Sequence, residues 1–255
     1  MLKTLDLALK IIQMFTNEKK EWGGRELAQA LGMDHAKIYR ILQTFEANNF
    51  IKQDPITKKY SLGFAVLELG MTMYNGIDMR QFLKPPLQKL CELTGESTFL
   101  TILDKDEGVT VEVNEPENKV KFSVSVGSRS PLYVGASYRS ILAFMTDDYI
   151  ENYLKTYELK QYTENTMAEP GVLREELLKI KEQGYAISQG EYTPDVLALA
   201  IPVFSAHQGV KGSITVSGPT YRLTREKILS FLPLLIQIRN EVEEISEKYH
   251  IHLKP

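Results

Sequence analysis

Two short amphipathic helices are predicted by the stretch Arg25-Glu-Leu-Ala-Gln-Ala-Leu-Gly-Met-Asp-His-Ala-Lys-Ile-Tyr-Arg-Ile-Leu-Gln-Thr-Phe45. Gly32 can take the positive φ that a tight turn between helices needs. The second helix has one apolar stripe with the spacing i, i+3, i+4 and i+7, which is made of Ile38, Ile41, Leu42 and Phe45. This is the pattern of a helix-turn-helix, although glycine-linked helix pairs also occur as plain packing units.

The opposite face of the second helix is predicted to be exposed and to read DNA. Asp34 suits the N-cap, so this face falls in the first turns, where a recognition helix contacts bases. It combines one small residue for close approach with several donors for base edges and phosphates. Its residues are Ala36, Lys37, Tyr39, Arg40, Gln43 and Thr44. Arg25, at the start of the first helix, either contacts phosphate or is simply solvated.

A β-hairpin is predicted directly after the helix pair. Residues 50–54 and 59–62 are short extended segments on either side of the turn 55–58. Lysines near its tip would reach backbone phosphate and give affinity without sequence information. These are Lys52, Lys58 and Lys59. The alternative is a solvated hairpin that its lysines keep soluble.

Helices flank this motif on both sides. A first helix, predicted to pack behind the pair, is indicated by Leu2, Leu5, Leu9, Ile12 and Phe15. A second one, over residues 63–79, is apolar around much of its surface, with Glu68 as its one charge before Asp78. A helix this apolar needs more than one packing partner. The alternative is a helix buried within its own subunit.

From about residue 80 the pattern alternates between helices and strands. An amphipathic helix carrying Leu83, Leu87, Leu90 and Leu93 is expected to start near Pro85-Pro86 and to end at Gly95. A hairpin over 98–103 and 108–113 follows, and then a strand over 120–126. The remaining predictions are helices over 138–145, 147–157 and 172–183, strands over 197–204 and 212–217, and one long helix over 224–249.

Several of these segments together resemble the IclR family of bacterial transcriptional regulators. The most specific piece is Tyr60-Ser-Leu-Gly63 followed by an apolar helix. The others are Gly127-Ser-Arg-Ser-Pro-Leu132, Gly135-Ala136, Gly184-Tyr-Ala186, Ile201-Pro-Val-Phe204 and Ser213-Ile-Thr-Val-Ser-Gly-Pro219. The resemblance covers nearly the whole chain.

The resemblance implies an α+β protein of three parts. Residues 1–62 would form a winged helix-turn-helix that binds double-stranded DNA, and 63–79 a linker helix that packs in a dimer. Residues 80–255 would form a GAF-like effector-binding domain, with a mainly antiparallel sheet flanked by helices. Such a protein binds a palindromic operator as a homodimer or as a dimer of dimers, that is, a homotetramer.

The resemblance also implies a pocket for a small effector, which usually bears a carboxylate. Backbone N–H groups near Gly135 and Ala136 would hold it together with the hydroxyls of Ser137, Thr215 and Ser217. Ser188 and Ala198, at the matching turn and strand, are weaker candidates. Without the resemblance, Thr215 and Ser217 would be taken as ordinary strand residues. Because a cluster of hydroxyls and amides supplies donors to the buried acceptors of a carboxylate, we expect an organic acid as effector.

This chain departs from the family pattern in the effector half. Tyr138-Arg139 stands where many members have Gly-Lys. Members commonly have acidic residues after the Gly-Tyr-Ala element, but here Ile187-Ser-Gln-Gly190 follows it, which leaves Glu191 as the nearest acid. These departures bear on the identity of the effector and not on the DNA-binding half.

The charge distribution agrees with a DNA-binding N-terminal part. The net charge is −3, but the first 75 residues carry ten Lys and Arg against eight Asp and Glu, and the remainder carries 20 against 25. The basic part is therefore the part with the helix-turn-helix. Because its excess is small, affinity should depend on dimerisation and on where the charges lie.

The sequence contains no catalytic grouping that we recognise. Gly-x-Ser-x-Gly, Gly-x-x-x-x-Gly-Lys-Ser and His-Glu-x-x-His are all absent, and His250-x-His252 is a poor metal signal, so neither a metal nor a cofactor is expected. Cys91 is the single cysteine and is expected to be a buried structural thiol. With no signal peptide and no long apolar run, a cytoplasmic protein without a membrane partner is expected.

Two classes of function remain. The first is a metabolite-responsive transcriptional regulator, and the second is a GAF-like signalling module or enzyme whose N-terminal helices serve only as an interaction unit. The absence of an acid/base or nucleophile group favours the regulator.

Overall fold

The computed structural model describes residues 2–16, 19–76, 79–117, 121–205 and 209–248. The chain divides into two compact units, Met1–Ile77 and Asp78–Pro255. The first unit contains, in order, α1 (Lys3–Gln13), β1 (Trp22–Gly23), α2 (Gly24–Ala30), α3 (His35–Ala47), β2 (Ile51–Gln53), β3 (Lys59–Leu62) and α4 (Phe64–Gly76).

The helix-turn-helix is formed as predicted. The Asp34 carboxylate accepts the Lys37 N–H at 3.2 Å and caps α3, and Gly32 has a φ of +61°. The core of the unit contains Leu7 and Ile11 of α1, Leu27 and Ala28 of α2, and Ile38, Ile41 and Leu42 of α3. The first helix packs behind the pair as predicted, and Ile12 and Phe15 of the predicted stripe contact this core. Leu2, Leu5 and Leu9 were wrongly placed in the stripe, because they are 74%, 55% and 52% exposed.

The predicted hairpin is also present, and it belongs to a three-stranded antiparallel sheet with the order β1-β3-β2. The Asp54 carboxylate holds the turn by accepting the N–H groups of Ile56 at 2.9 Å and Thr57 at 2.6 Å. The short strand β1 was not predicted. It pairs Trp22 with Tyr60, while the Trp22 indole donates to the Met14 carbonyl at 2.8 Å.

The second unit is built on six antiparallel strands in the order β6-β5-β4-β9-β8-β7. The strands are β4 (Ser97–Asp104), β5 (Glu107–Asn114), β6 (Arg129–Pro131), β7 (Ala186–Gln189), β8 (Val196–Ser205) and β9 (Gly209–Pro219). The helices are α5 (Met79–Thr94), α6 (Ala136–Leu142), α7 (Asp147–Thr156), α8 (Pro170–Gln183), α9 (Arg225–Leu229) and α10 (Leu232–Lys248). The predicted α+β class is therefore confirmed.

Helices cover both faces of this sheet. The Thr98 hydroxyl donates to the Leu87 carbonyl of α5, and Thr98 pairs with Val216 of β9. The neighbouring Thr215 contacts α6 through Ser137. Because successive side chains of a strand point to opposite faces, α5 and α6 lie on opposite sides of β9.

The predicted strand over 120–126 was wrong for its described part, since residues 121–126 form no strand; Val120 lies outside the described residues. The outer edge of β5 is taken by the following segment, because Thr110 exchanges backbone hydrogen bonds with Gly127 and Ser128. Phe122 of this segment packs edge-on against Phe99, with ring centroids 5.9 Å apart.

Two helix boundaries also differ from the prediction. Helix α5 begins at Met79, so Pro85 and Pro86 lie in its second turn. Its buried residues Leu83, Leu87, Leu90 and Cys91 hold it on the sheet, whereas Leu93 is 60% exposed. The long C-terminal helix is two helices, because Pro233 has no N–H to donate and its ring would clash with the Leu229 carbonyl. Tyr249, the last residue of the predicted helix, lies outside the described residues.

Candidate DNA-binding surface and effector site

The predicted reading face of α3 is solvent-accessible. Its exposed residues are Ala36, Tyr39, Arg40, Gln43 and Thr44, and Lys37 is half-buried. The Thr44 hydroxyl donates to the Arg40 carbonyl at 2.9 Å, so its proton is used within the helix. Within the described residues, the side chains of Arg40 and Gln43 have no hydrogen-bond partner, which leaves their donors available to a ligand.

His35, which was not predicted as a site residue, lies on the same surface. Its ring stacks on Tyr39 with centroids 6.3 Å apart, and both side chains are exposed. The i, i+4 spacing of the two aromatic residues was the sequence signal for this contact.

The wing presents its lysines to solvent. Lys52 lies on β2 opposite Ser61, while Lys58 and Lys59 follow the turn; all three are exposed. Lys58 has a φ of +58°, in the left-handed region. Hydrogen bonds from the Thr57 and Ile56 backbone hold the pKa of Asp54 below its usual range, so the turn keeps its carboxylate ionised. Arg25, on α2, is exposed.

In the second unit, the hydroxyl residues predicted for the effector share one face of the sheet. Ser217 pairs with Ala198, and Ala198 pairs with Ser188, so these residues lie side by side on β9, β8 and β7. Ser188 was predicted to lie in a turn, but it is part of β7. The Ser217 hydroxyl donates to the Leu197 carbonyl at 3.2 Å.

Helix α6 lies over this face. The Ser137 hydroxyl is 2.8 Å from the Thr215 hydroxyl, and Thr215 is fully buried. Gly135 forms the N-cap with a φ of +80°, a conformation that favours glycine, and Ala136 follows it as a buried residue. The sheet hydroxyls and the start of α6 are therefore brought together.

The Gly135 N–H donates to the Glu191 carboxylate at 3.2 Å. That carboxylate also accepts from both terminal nitrogens of Arg139, from Nη1 at Oε2 and from Nη2 at Oε1, the latter at 2.9 Å. Nη2 donates in addition to the Ile187 carbonyl at 2.7 Å. Arg139 is fully buried and Glu191 is 6% exposed. In the sequence, Arg139 stood out only as a departure from the family pattern and Glu191 only as the nearest acid after the Gly-Tyr-Ala element. Neither was predicted as a site residue.

Tyr138, also on α6, contacts β5 and β6. Its hydroxyl makes side-chain hydrogen bonds with Ser130 and Thr110, and burial raises its pKa above the ordinary value. A Cβ added to Gly108 would lie 2.4 Å from the Tyr138 ring, so glycine at that position makes room for the aromatic side chain.

A polar cleft of about 440 Å³ lies beside Glu191. It is lined by residues of α8, of β7 and the loop after it, of the loop before α8 and of the start of α9, which are Asn165, Met167, Glu176, Lys179, Gln183, Ile187, Gln189, Glu191 and Arg225. Glu191 thus borders the cleft and also contacts Gly135.

Neither a metal site nor a membrane span emerges from the part of the chain that the structure describes. That part contains no group of three or more His, Cys, Asp or Glu side chains arranged to hold a metal ion. His207, His250 and His252 lie outside it. None of its helices is both long and apolar enough to cross a membrane.

Comparison with known proteins gives matches along both units. Residues 4–55 match the IclR helix-turn-helix domain, and residues 71–246 match the bacterial transcriptional regulator IclR C-terminal domain. The HTH-type transcriptional regulator KipR of Bacillus subtilis is 30% identical over 247 residues, which cover 96% of each chain.

Solved structures agree with this similarity. A transcriptional regulator from Alicyclobacillus acidocaldarius superposes with a TM-score of 0.85 at 26% identity, covering 96% of this chain and 99% of that one. An IclR homologue of Microbacterium hydrocarbonoxydans, solved with 4-hydroxybenzoate, gives a TM-score of 0.80 at 18% identity, covering 96% and 99%. At that identity the second likeness bears on the fold alone.

Proposed function

Because this chain belongs to the IclR family of bacterial transcriptional regulators, we propose that it binds a palindromic operator as a homodimer or a dimer of dimers, under the control of a small organic acid. It is a DNA-binding regulator with a small-molecule effector domain, and its relatives are named as regulators rather than enzymes. We assign DNA binding to residues 1–62, linkage and dimerisation to 63–79, and effector binding to 80–255.

The observation that carries the DNA proposal is the solvent-facing side of α3. The cap from Asp34 fixes where the helix begins. Arg40 and Gln43 lie on its exposed face, and their side-chain donors have no partner within the described residues. Arginine and glutamine side chains can pair bidentately with guanine and adenine edges in the major groove. Lys52, Lys58 and Lys59 would bind phosphates on the wing side, and Arg25 would do so from α2.

Oligomerisation is supported by the apolar surface of α4. Phe64 is 73% exposed and Leu67 and Leu69 are each 57% exposed in the single chain. Large exposed apolar side chains on more than one side of a helix are typical of an element that packs against another chain. Two helix-turn-helix units joined through α4 would bind operator half-sites about one helical turn of DNA apart. Since its DNA target is in the cytoplasm of a bacterium, we propose that the protein acts there.

The acid effector is supported by the donors around Gly135. The hydroxyls of Ser137 and Thr215 lie near the start of α6, where the Gly135 N–H already binds a carboxylate, that of Glu191. Charge-assisted hydrogen bonds to a carboxylate are stronger than neutral ones, so this region suits an acid better than a neutral ligand.

The experiment is a mobility-shift titration of the purified full chain on the DNA upstream of its own gene, with unrelated DNA of equal length as control. We expect preferential binding of the upstream DNA and a shift of that affinity by at least one member of a panel of organic acids. Equal binding of both DNAs would contradict the regulator proposal. A response restricted to sugars or nucleotides would contradict the acid.

A further inference from the structure

We propose that Glu191 is an internal competitor of the effector: its carboxylate occupies the carboxylate subsite of the pocket, and an acid effector binds by taking its place. This inference rests on the function proposed above and specifies how the acid is recognised. It also identifies Glu191 as the residue that sets the affinity of the site.

The subsite is built from two elements that converge on one carboxylate. The Gly135 N–H reaches Glu191 Oε2 at 3.2 Å, and Arg139 binds both oxygens. The arginine has a further anchor, because Nη2, the nitrogen that binds Oε1, also donates to the Ile187 carbonyl at 2.7 Å. A planar guanidinium with a backbone N–H beside it is a carboxylate receptor, and here its occupant is the chain's own side chain.

Burial decides which ligands could replace Glu191. Arg139 has no solvent exposure, and its Nε–H has no hydrogen-bond partner among the described residues. A buried cation that loses its anion is strongly destabilised, so Glu191 can leave only when another anion arrives. A carboxylate can replace it, whereas the corresponding amide or alcohol would leave Arg139 uncompensated.

The surroundings of Glu191 allow its side chain to move while its backbone stays in place. The hydroxyls of Thr163 and Thr166 donate to the carbonyls of Gly190 and Glu191, each at 2.6 Å, and fix the main chain. The side chain borders the polar cleft that Lys179 and Arg225 also line. Rotation into this cleft would give the displaced carboxylate water and two cationic neighbours against one acidic one, Glu176.

The exchange defines the class of effector. Its carboxylate would bind Arg139 and the Gly135 N–H, and a hydroxyl elsewhere on it would reach Ser137 or Thr215, since Ser137 follows Gly135 by two residues on α6. The ligand is therefore a hydroxy acid whose amide derivative does not bind.

The test is rescue of a Glu191→Gln variant by small carboxylates. Sodium acetate serves as the probe, because it fits any carboxylate subsite. Acetamide at equal concentration and sodium chloride at equal ionic strength are the controls. We expect the variant to melt below the wild type and to regain stability saturably with acetate but not with acetamide. The wild type and the surface variant Glu175→Gln should gain much less.

A second variant covers the case in which Glu191→Gln does not fold. Glu191→Asp keeps the charge but is one methylene shorter, so it cannot span Gly135 and Arg139 equally well. We expect it to bind acetate at least severalfold more tightly than the wild type in a calorimetric titration. Acetate that stabilises neither variant more than the wild type would show that Glu191 is a fixed structural partner and would overturn the inference.

Mobility shifts on the same preparations separate this inference from the proposed function. A wild type that binds the upstream DNA no more tightly than unrelated DNA would contradict the proposed function. Normal preference without carboxylate-specific rescue would contradict only the role of Glu191.

Discussion

The side-chain hydroxyls of Ser137 and Thr215 lie 2.8 Å apart and join the first turn of α6 to the middle of β9. If Thr215 and its neighbour on β9, Ser217, hold the effector, removal of their two hydroxyls should weaken its binding. For a Thr215→Val, Ser217→Ala double variant we expect roughly 5- to 100-fold weaker binding of the acid, the loss typical of two hydrogen bonds of about 0.5–1.5 kcal/mol each. Calorimetry with the acid found in the mobility-shift panel measures it.

Ser213→Ala is the matched control for this double variant. Ser213 is a buried hydroxyl on the same strand, and its Oγ has no hydrogen-bond partner within the described chain. Its removal should leave acid affinity unchanged. An equally tight complex with the double variant would remove Thr215 and Ser217 from the pocket.

Arg40 should contribute to sequence recognition. An arginine that pairs with a base contributes about 1–3 kcal/mol of discrimination, so Arg40→Ala should weaken operator binding by that amount and relax specificity at one position. Binding to unrelated DNA should change far less. Lys155→Ala, which removes one exposed positive charge from α7, controls for net charge. An Arg40→Ala protein with wild-type operator affinity would contradict the assignment of α3 as the reading helix.

The wing lysines should contribute affinity without specificity. Lys58→Asn is the suitable change, because Lys58 has a φ of +58° and asparagine tolerates the left-handed region better than alanine. With Lys59→Gln, it should weaken operator and unrelated DNA alike. Each lost phosphate contact should lower the slope of log affinity against log salt by about 0.9. An unchanged slope would show that the wing does not contact phosphate.

Local sequence signals explain why the DNA-binding unit could be predicted almost completely. The cap at Asp34, the turn at Gly32 and the apolar stripe of α3 each involve residues within a few positions of one another. The strand β1 carries no such signal, since Trp22 pairs with Tyr60, 38 residues later in the chain. Its two residues are too few for an alternating pattern.

The effector half shows the same limit in its site. The pair Arg139 and Glu191 is separated by 52 residues, and only the fold brings α6 against the loop after β7. The residue types could be read in the sequence, but their partnership and burial could not. The break between α9 and α10 differs, because Pro233 is a local signal for it.

Cys91 should be inert in the folded protein. Its side chain is 5% exposed, and burial, the largest cause, together with nearby carboxylates such as Glu92 raises the pKa of its thiol to about 11. The thiolate is the reactive form, so a disulfide reagent should not modify native protein at pH 8 but should react fully in denaturant. The raised pKa means that the folded state holds this proton more tightly than the unfolded state. Its stabilising effect is full below about pH 8.5 and is lost as the pH rises towards 11.

Cys91→Ala supplies the comparison for that pH dependence. The difference in free energy of unfolding between the wild type and this variant should shrink over the same pH range. Rapid modification of folded wild type at pH 8 would contradict the buried position of the thiol.

Helix α4 should hold the subunits together. Light scattering of the wild type at micromolar concentration should give at least a dimer, since exposed Phe64, Leu67 and Leu69 would otherwise face water. Leu67→Glu combined with Leu69→Glu places charges in that surface and should yield monomers with much weaker operator affinity, because one reader loses its partner half-site. Leu178→Glu is the matched control, as Leu178 is a 62% exposed leucine on α8. A wild-type monomer that binds the operator normally, or a double variant that remains dimeric, would show that α4 is not the interface.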